Sequence, residues 1–128
     1  MKVLILNGSP RATGNTAIAL AEMEKVFAQN GIETETLQVG NLAIRGCVAC
    51  GGCAKTGRCV MDDIVNEVAA KFEACDGLVV GSPVYYASAN GTLTALLDRV
   101  FYAGGGVFAH KPAAAIVTAR RAGTTASL

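Results

Sequence analysis

Lys2-Val-Leu-Ile-Leu-Asn7 runs straight into Gly8-Ser9-Pro10-Arg11-Ala12-Thr13-Gly14-Asn15-Thr16, and this junction decides the fold. The opening run is short, apolar and cut off by a Gly-Ser-Pro turn signal, the pattern of a strand covered on both faces of a parallel sheet. Beyond the turn, Asn15 to Gln29 are good helix formers with Leu20, Met23 and Phe27 recurring on one face, and Asn30-Gly31 supplies a stop. A strand, a polar loop and a helix in this order make a phosphate cradle. The helix start leaves backbone N–H groups without partners and carries a positive partial charge, which together suit a phosphate monoester. Ser9, Thr13, Asn15 and Thr16 add short hydrogen-bonding groups, and Arg11 adds a permanent forked charge. Gly8 and Gly14 permit turns that a side chain would obstruct. The loop lacks the Gly-Lys-Ser/Thr of a nucleotide P-loop and the Gly-x-Gly-x-x-Gly of a dinucleotide fold. The plainer alternative is an ordinary turn before a capped helix.

Outward from the loop, the chain alternates strand and helix signals. Ile32 to Val39 reads as a second, edge-side strand. Asn41 to Cys59 has neither period, and its Gly and Cys content indicates a shaped loop at about 41–61. Asp62-Asp63 ahead of Ile64, Val65, Val68 and Phe72 predicts a capped helix of about a dozen residues. Gly77-Leu-Val-Val-Gly-Ser82 is a third strand, read as ending at Pro83. Leu93, Leu96, Leu97, Val100 and Phe101 repeat at helical spacing up to Gly104-Gly105-Gly106. Ala113 to Thr118 is a fourth strand, and Arg120 to Thr125 reads as another loop. The fold class is therefore α/β, a single doubly wound domain over residues 1–128, with its ligands beyond the carboxyl ends of the strands. A five-stranded sheet of this kind needs one more strand and helix after Ala126-Ser127-Leu128. The expectation is a truncated product, a fragment, or a chain completed by a partner.

Composition narrows the function classes. Of 128 residues, 52% are apolar and 16% charged, which suits strands buried on both faces. The net charge of +1, the absence of Trp and the scattered basic residues argue against a nucleic-acid surface. No apolar run reaches the length of a membrane span, about 18 residues, and Met1 opens strand-like sequence directly, so the expected location is the cytoplasm.

Two further stretches carry chemistry. In Gly81-Ser82-Pro83-Val84-Tyr85-Tyr86, Pro83 fixes the backbone leaving the sheet, and both tyrosines offer flat faces with polar tips, suited to a ring system with a wet edge. Ser88 and Asn90 can address ring carbonyls and nitrogens. The alternative is that both tyrosines simply pack over the sheet edge. In Cys47-x2-Cys50-x2-Cys53-x5-Cys59, four of the five cysteines fall within thirteen residues. Close spacing in a Gly-rich loop lets four thiolates converge on a cubane cluster. Zinc is a second reading, and free thiols or a reversible disulfide a third. Cys75 reads as a small buried residue, and His110 as a solvent-facing turn residue.

The phosphate loop, the Gly81–Tyr86 stretch and the cysteine motif together resemble the NAD(P)H-dependent FMN reductase family, and within it the iron–sulfur flavoproteins. The resemblance spans essentially the whole chain and implies a flavodoxin-like sheet of order 2-1-3-4-5, here without the last strand and helix. It implies that Ser9, Arg11, Thr13, Asn15 and Thr16, with Gly14 shaping the turn, hold the phosphate of FMN. Pro83, Val84, Tyr85 and Tyr86 would line the isoalloxazine ring. The loop after the fourth strand, with Thr118, Arg120 and Gly123, would form the opposite wall and meet the nicotinamide donor, while Arg121 is equally suited to a solvated role. Cys47, Cys50, Cys53 and Cys59 would ligate a [4Fe–4S] cluster.

The function this implies is an FMN-dependent oxidoreductase drawing on NAD(P)H, with a cluster, if present, relaying single electrons to a small-molecule or protein acceptor. No side chain need act as acid or nucleophile, since the flavin carries the chemistry. The rivals are an electron carrier without nicotinamide activity and a zinc-stabilised binding module. The resemblance also implies a homo-oligomer, dimer or tetramer.

Overall fold

A computed structural model describes all 128 residues. Strand β1 (Lys2–Asn7) leads to helix α1 (Asn15–Gln29), then to β2 (Glu33–Gln38). A one-turn helix α2 (Cys53–Thr56) interrupts the cysteine loop before α3 (Ile64–Ala74). Strand β3 (Gly77–Tyr85), a short β4 (Ser88–Ala89) and α4 (Gly91–Gly104) follow. A 3₁₀ turn (Gly105–Phe108), β5 (Ala113–Thr118) and a one-turn α5 (Thr124–Ser127) complete the chain.

The parallel strands stand in the order β2-β1-β3-β5, with β4 folded back antiparallel on the end of β3. Setting that hairpin aside, the alternation of elements is realised as a doubly wound sheet, and its order matches the first four strands of the 2-1-3-4-5 arrangement that the resemblance implies. Side-chain alternation divides the core between the two faces. Leu4, Leu6 and Leu78 meet Val65, Val68 and Phe72 of α3 and Leu93, Leu96 and Val100 of α4 on one face. Val3, Ile5 and Val79 meet Leu20 of α1 on the other. Phe72 stacks on Phe108 with centroids 4.4 Å apart, and Phe101 meets both edge-on. Such pairs add about 0.5–1.5 kcal/mol each beyond the area they bury.

Two of the local structures that differ from the sequence reading have a simple physical reason. Strand β3 does not stop at Pro83 but continues to Tyr85. The Leu78 amide points toward β5, donating to the Pro112 carbonyl, whereas the Gly81 carbonyl points toward β1 and accepts from Gly8. Pro83 shares the orientation of Gly81, and β1 ends opposite Gly81. The missing N–H therefore falls where no neighbour awaits it. The second difference is that the Thr124–Ser127 turn of helix occupies part of the stretch read as loop. Gly123 at φ 98° starts it, a conformation open to glycine at little strain.

Lys111 ties the sheet to α3. Its Nζ donates to the carbonyls of Phe72, Glu73 and Cys75 at 2.9, 2.5 and 2.6 Å, satisfying the end of the helix where a cation is favoured. Cys75 is buried, and that burial pushes its thiol pKa up. His110 is exposed in a turn at φ 65°. No helix is long and apolar enough to cross a membrane.

Candidate functional site

The loop between β1 and α1 is held from behind by side chains that leave its front free. Gly8 N–H donates to the Gly81 carbonyl at 2.7 Å, fastening the loop to β3. The buried Asn7 accepts from Ser9 N–H through Oδ1 at 3.0 Å and donates through Nδ2 to Gln38 Oε1 at 2.8 Å. Gln38 Nε2 returns the bond to the Ser9 carbonyl. Ser9 Oγ accepts from Arg11 N–H at 3.1 Å, so its own hydroxyl proton is free to donate outward. Gly14 stands at the N-cap of helix α1 and provides no side-chain cap, and the first turn of the helix holds no acidic residue. Its leading amides are thus oriented for an anion. The ion pairs of the chain use neither Arg11 nor Arg120.

Opposite stands the β3–β4 hairpin. Tyr85 pairs with Ser88 across a two-residue turn in which Tyr86 and Ala87 both take positive φ, 47° and 60°. That is the backbone of a primed hairpin turn, which ordinarily draws Asn-Gly. Holding non-glycine residues there costs about 1–2 kcal/mol each, and strain of this kind gathers at functional sites. Replacing Ala87 by Gly is expected to stabilise the chain by about 1 kcal/mol, after allowance for the greater freedom of glycine when unfolded. A higher urea midpoint would show it; an unchanged or lower one would mean that the turn is not strained.

These walls enclose a cavity of about 520 Å³, lined by Ser9, Arg11, Gly14, Asn15, Thr16, Pro83, Val84, Tyr85, Thr118, Ala119 and Arg120. Its size lies within the range of about 300–1,000 Å³ usual for ligand sites. Thr16 and Thr118 hydroxyls meet at 2.8 Å and join the helix start to the end of β5. Most of the residues singled out from the sequence meet here. Thr13, Tyr86, Ser88, Asn90 and Gly123 do not line it. Tyr86 points fully into solvent. Asn90 serves the fold instead, because its buried side chain caps α4 by accepting from Thr92 N–H at 2.7 Å, and its own N–H donates to Ser82 Oγ at 2.8 Å. Sequence reasoning missed the supporting roles of Asn7 and Gln38. Only the polar end of an otherwise apolar strand, Asn7, carried any local hint.

The cysteines form a second site. Cys47, Cys50, Cys53 and Cys59 line one cavity of about 300 Å³ with Val48, Val60, Met61 and, from α4, Arg99, Tyr102 and Ala103. All four are free thiols. They are not drawn together as a single-ion site. Their loop wraps through left-handed residues at Ala49, Gly51 and Gly57. Cys59 is the most firmly held, because Asn66 accepts from its N–H and donates to its carbonyl, both at 2.9 Å.

A parallel sheet of this order, with an uncapped helix start at its carboxyl edge, defines a flavodoxin-like α/β protein. The chain belongs to the NADPH-dependent FMN reductase family, whose family model matches residues 1–128. It is 37% identical over 99 residues to an iron–sulfur flavoprotein of Methanocaldococcus jannaschii, covering 77% of this chain and 51% of that one. An iron–sulfur flavoprotein of Methanosarcina thermophila is 36% identical, with 77% and 52% covered. The chain thus spans about half the length of the curated relatives it matches. Among solved structures, RosB superposes with a TM-score of 0.78 at 17% identity, covering 99% of this chain and 55% of that one. An NAD(P)H:quinone oxidoreductase from Methanothermobacter marburgensis gives 0.74 at 17% identity, with 95% and 65% covered. At such identities the likeness speaks for the fold alone.

Proposed function

We propose that the chain binds FMN in the 520 Å³ cavity and serves as the flavin-holding part of an NAD(P)H-dependent oxidoreductase. The observation that carries this reading is the meeting, across one cavity, of an anion-suited helix start with Arg11 and an apolar, aromatic wall at Pro83–Tyr85. A phosphate monoester fits the first and a flat ring the second. FMN, when bound, supplies hydride acceptance and single-electron release. The side chains do the rest. Ser9, Arg11 and the leading amides of α1 anchor the phosphate. Tyr85 and Val84 cover a ring face and exclude water from it. Thr118 and Arg120 border the side from which a nicotinamide donor would approach. The reading includes a homo-oligomer.

The proposal extends to the second cavity. Four thiols around about 300 Å³ of mainly apolar lining fit a [4Fe–4S] cluster, with Cys47, Cys50, Cys53 and Cys59 as its ligands. Such a cluster, when bound, passes electrons singly. The names of the matched relatives favour this over zinc.

Fluorescence titration with FMN tests the flavin reading. Wild-type chain is expected to quench and retain FMN. Arg11→Ala removes charge-assisted bonds to phosphate, worth about 1.5–3 kcal/mol, so affinity should fall about tenfold to hundredfold. Equal affinity in both proteins would refute the phosphate assignment. Anaerobic mixing with NADH or NADPH then distinguishes a reductase, whose flavin absorbance bleaches, from a carrier, whose flavin does not.

A further inference from the structure

Arg99 lies in the middle of α4 and is 1% exposed, the only basic side chain in the core. Burying a guanidinium is unfavourable unless its donors are matched, and here each partner can be named. Nη1 donates to Asp63 Oδ2 at 2.5 Å and to the Arg45 carbonyl at 3.0 Å, while Nη2 donates to Asp63 Oδ1 at 2.9 Å. The carboxylate thus holds the guanidinium through a two-point clamp that fixes its plane. The remaining edge points at sulfur: Nε and Nη2 lie 3.3 and 3.2 Å from Cys59 Sγ. Asn66 fixes the Cys59 backbone from the other side. Of the four cysteines in the cavity wall, Cys59 is the one whose sulfur receives a charged donor, and Arg99 itself lines that wall. A structural link between α3 and α4 needs only the Asp63 clamp. It does not require the guanidinium to turn two N–H groups onto a thiol sulfur, which is a weak acceptor unless charged or metal-bound.

We propose that Arg99 is a positioning residue for Cys59: it aims Sγ into the cavity and, through two N–H···S bonds and its positive charge, raises the reduction potential of the iron–sulfur centre that this sulfur ligates. The inference rests on the cluster reading above. The physical ground is simple. One-electron reduction, [4Fe–4S]²⁺ plus an electron giving [4Fe–4S]⁺, places extra negative charge on the cluster and its sulfur ligands. Donors already aimed at one of those sulfurs stabilise the reduced form more than the oxidised one. Asp63 keeps the donor plane fixed, so the bonds persist through the change in charge.

The test is an anaerobic redox titration of the reconstituted chain with dithionite, followed by paramagnetic resonance of the reduced cluster, in wild type, Arg99→Gln and Arg99→Lys. Circular dichroism and iron content verify folding and loading. The midpoint of Arg99→Gln should fall by at least about 59 mV, tenfold in the one-electron equilibrium constant. Arg99→Lys keeps the charge but not the fork, so its midpoint should lie between the two. Flavin retention at the other cavity should stay unchanged. A loaded Arg99→Gln protein with the wild-type midpoint would overturn the inference while leaving the cluster intact. If the Gln variant does not fold or load, Arg99→Lys decides, and no shift there overturns the inference equally. Wild-type chain that takes up flavin but no iron would overturn the cluster reading and this inference with it, a result distinguishable by iron analysis alone.

Discussion

Replacing Asp63 by Ala is expected to destabilise the chain by about 3–5 kcal/mol, the cost of leaving a buried charge without its partner. That magnitude follows from where Arg99 sits. Its side chain is shut away from water, and Asp63 provides both of its carboxylate bonds. Once the carboxylate is gone, the Arg45 carbonyl and Cys59 Sγ are the only acceptors left. Asp63 is also the N-cap of α3, accepting from Val65 N–H at 3.1 Å, and a lost cap costs about 1 kcal/mol by itself. Urea unfolding of wild type, Asp63→Ala, Arg99→Met and the double variant gives the coupling between the two sites. The double variant should recover much of the loss, because an apolar side chain in place of the buried ion pair removes the unpaired charge. Equal losses in the single and double variants would show that the cap, not the ion pair, sets the cost. The bond also carries a pH dependence. Burial alone would push the Asp63 carboxyl up, but the Arg99 bonds and the Val65 amide outweigh it and hold the carboxyl below its ordinary range. Its folded value is thus lower than its unfolded one. The stability it contributes is complete above the ordinary carboxylate range and is lost as pH falls through that range and below. In Asp63→Ala this part of the acid sensitivity should vanish.

The contrast between Arg99 and the loop joining β1 to α1 shows which features a sequence exposes. The strand–loop–helix junction was legible because all its parts are neighbours in the chain: an apolar run, turn residues and a periodic helix. The same holds for the cysteine motif and the Asp63 cap. The braces behind these motifs were not legible, because their partners are far apart in sequence. Asn7 and Gln38 are separated by 31 positions, and Arg99 and Cys59 by 40. Leu93, Leu96 and Val100 announce α4 by their spacing, yet the spacing does not show that Arg99 turns inward with them. The β3–β4 hairpin escaped for the opposite reason. Its turn uses Tyr86-Ala87, residues whose local preference argues against the conformation they adopt. Local preference yields there to the Tyr85–Ser88 pairing, which closes the two-residue turn.

Gly40 is where a single methyl group should do most harm to flavin binding. It directly follows Val39, and the amides of both residues donate to the Asn7 carbonyl, at 2.9 and 3.1 Å. This brings its Cα against the back of the loop joining β1 to α1. A Cβ at Gly40 would lie 2.2 Å from the Gly8 carbonyl oxygen and 2.3 Å from the backbone carbons of Gly8 and Ser9. Backbone cannot rotate out of the way as a side chain can, so either the loop or the chain after β2 must move. The loop is fastened to β3 through Gly8 and to Gln38 through Ser9, so movement breaks at least one of those bonds. Gly40→Ala is therefore expected to destabilise the chain by about 1–3 kcal/mol, the usual range for overpacking. It should also displace Ser9 and the turn leading to the helix start from their anion-facing positions. A shift of about 1 Å at such a point misaligns several donors together, and FMN affinity should fall at least about hundredfold, near 2.8 kcal/mol. Urea unfolding and fluorescence titration measure the two effects separately. Comparison with Arg11→Ala is informative, since that substitution removes a donor from an undisturbed loop and should leave the urea midpoint where it was. If Gly40→Ala matches wild type in both assays, the rear of the loop is more yielding than its hydrogen bonds imply. If it unfolds more readily yet binds FMN as before, the phosphate is held elsewhere than at the head of α1.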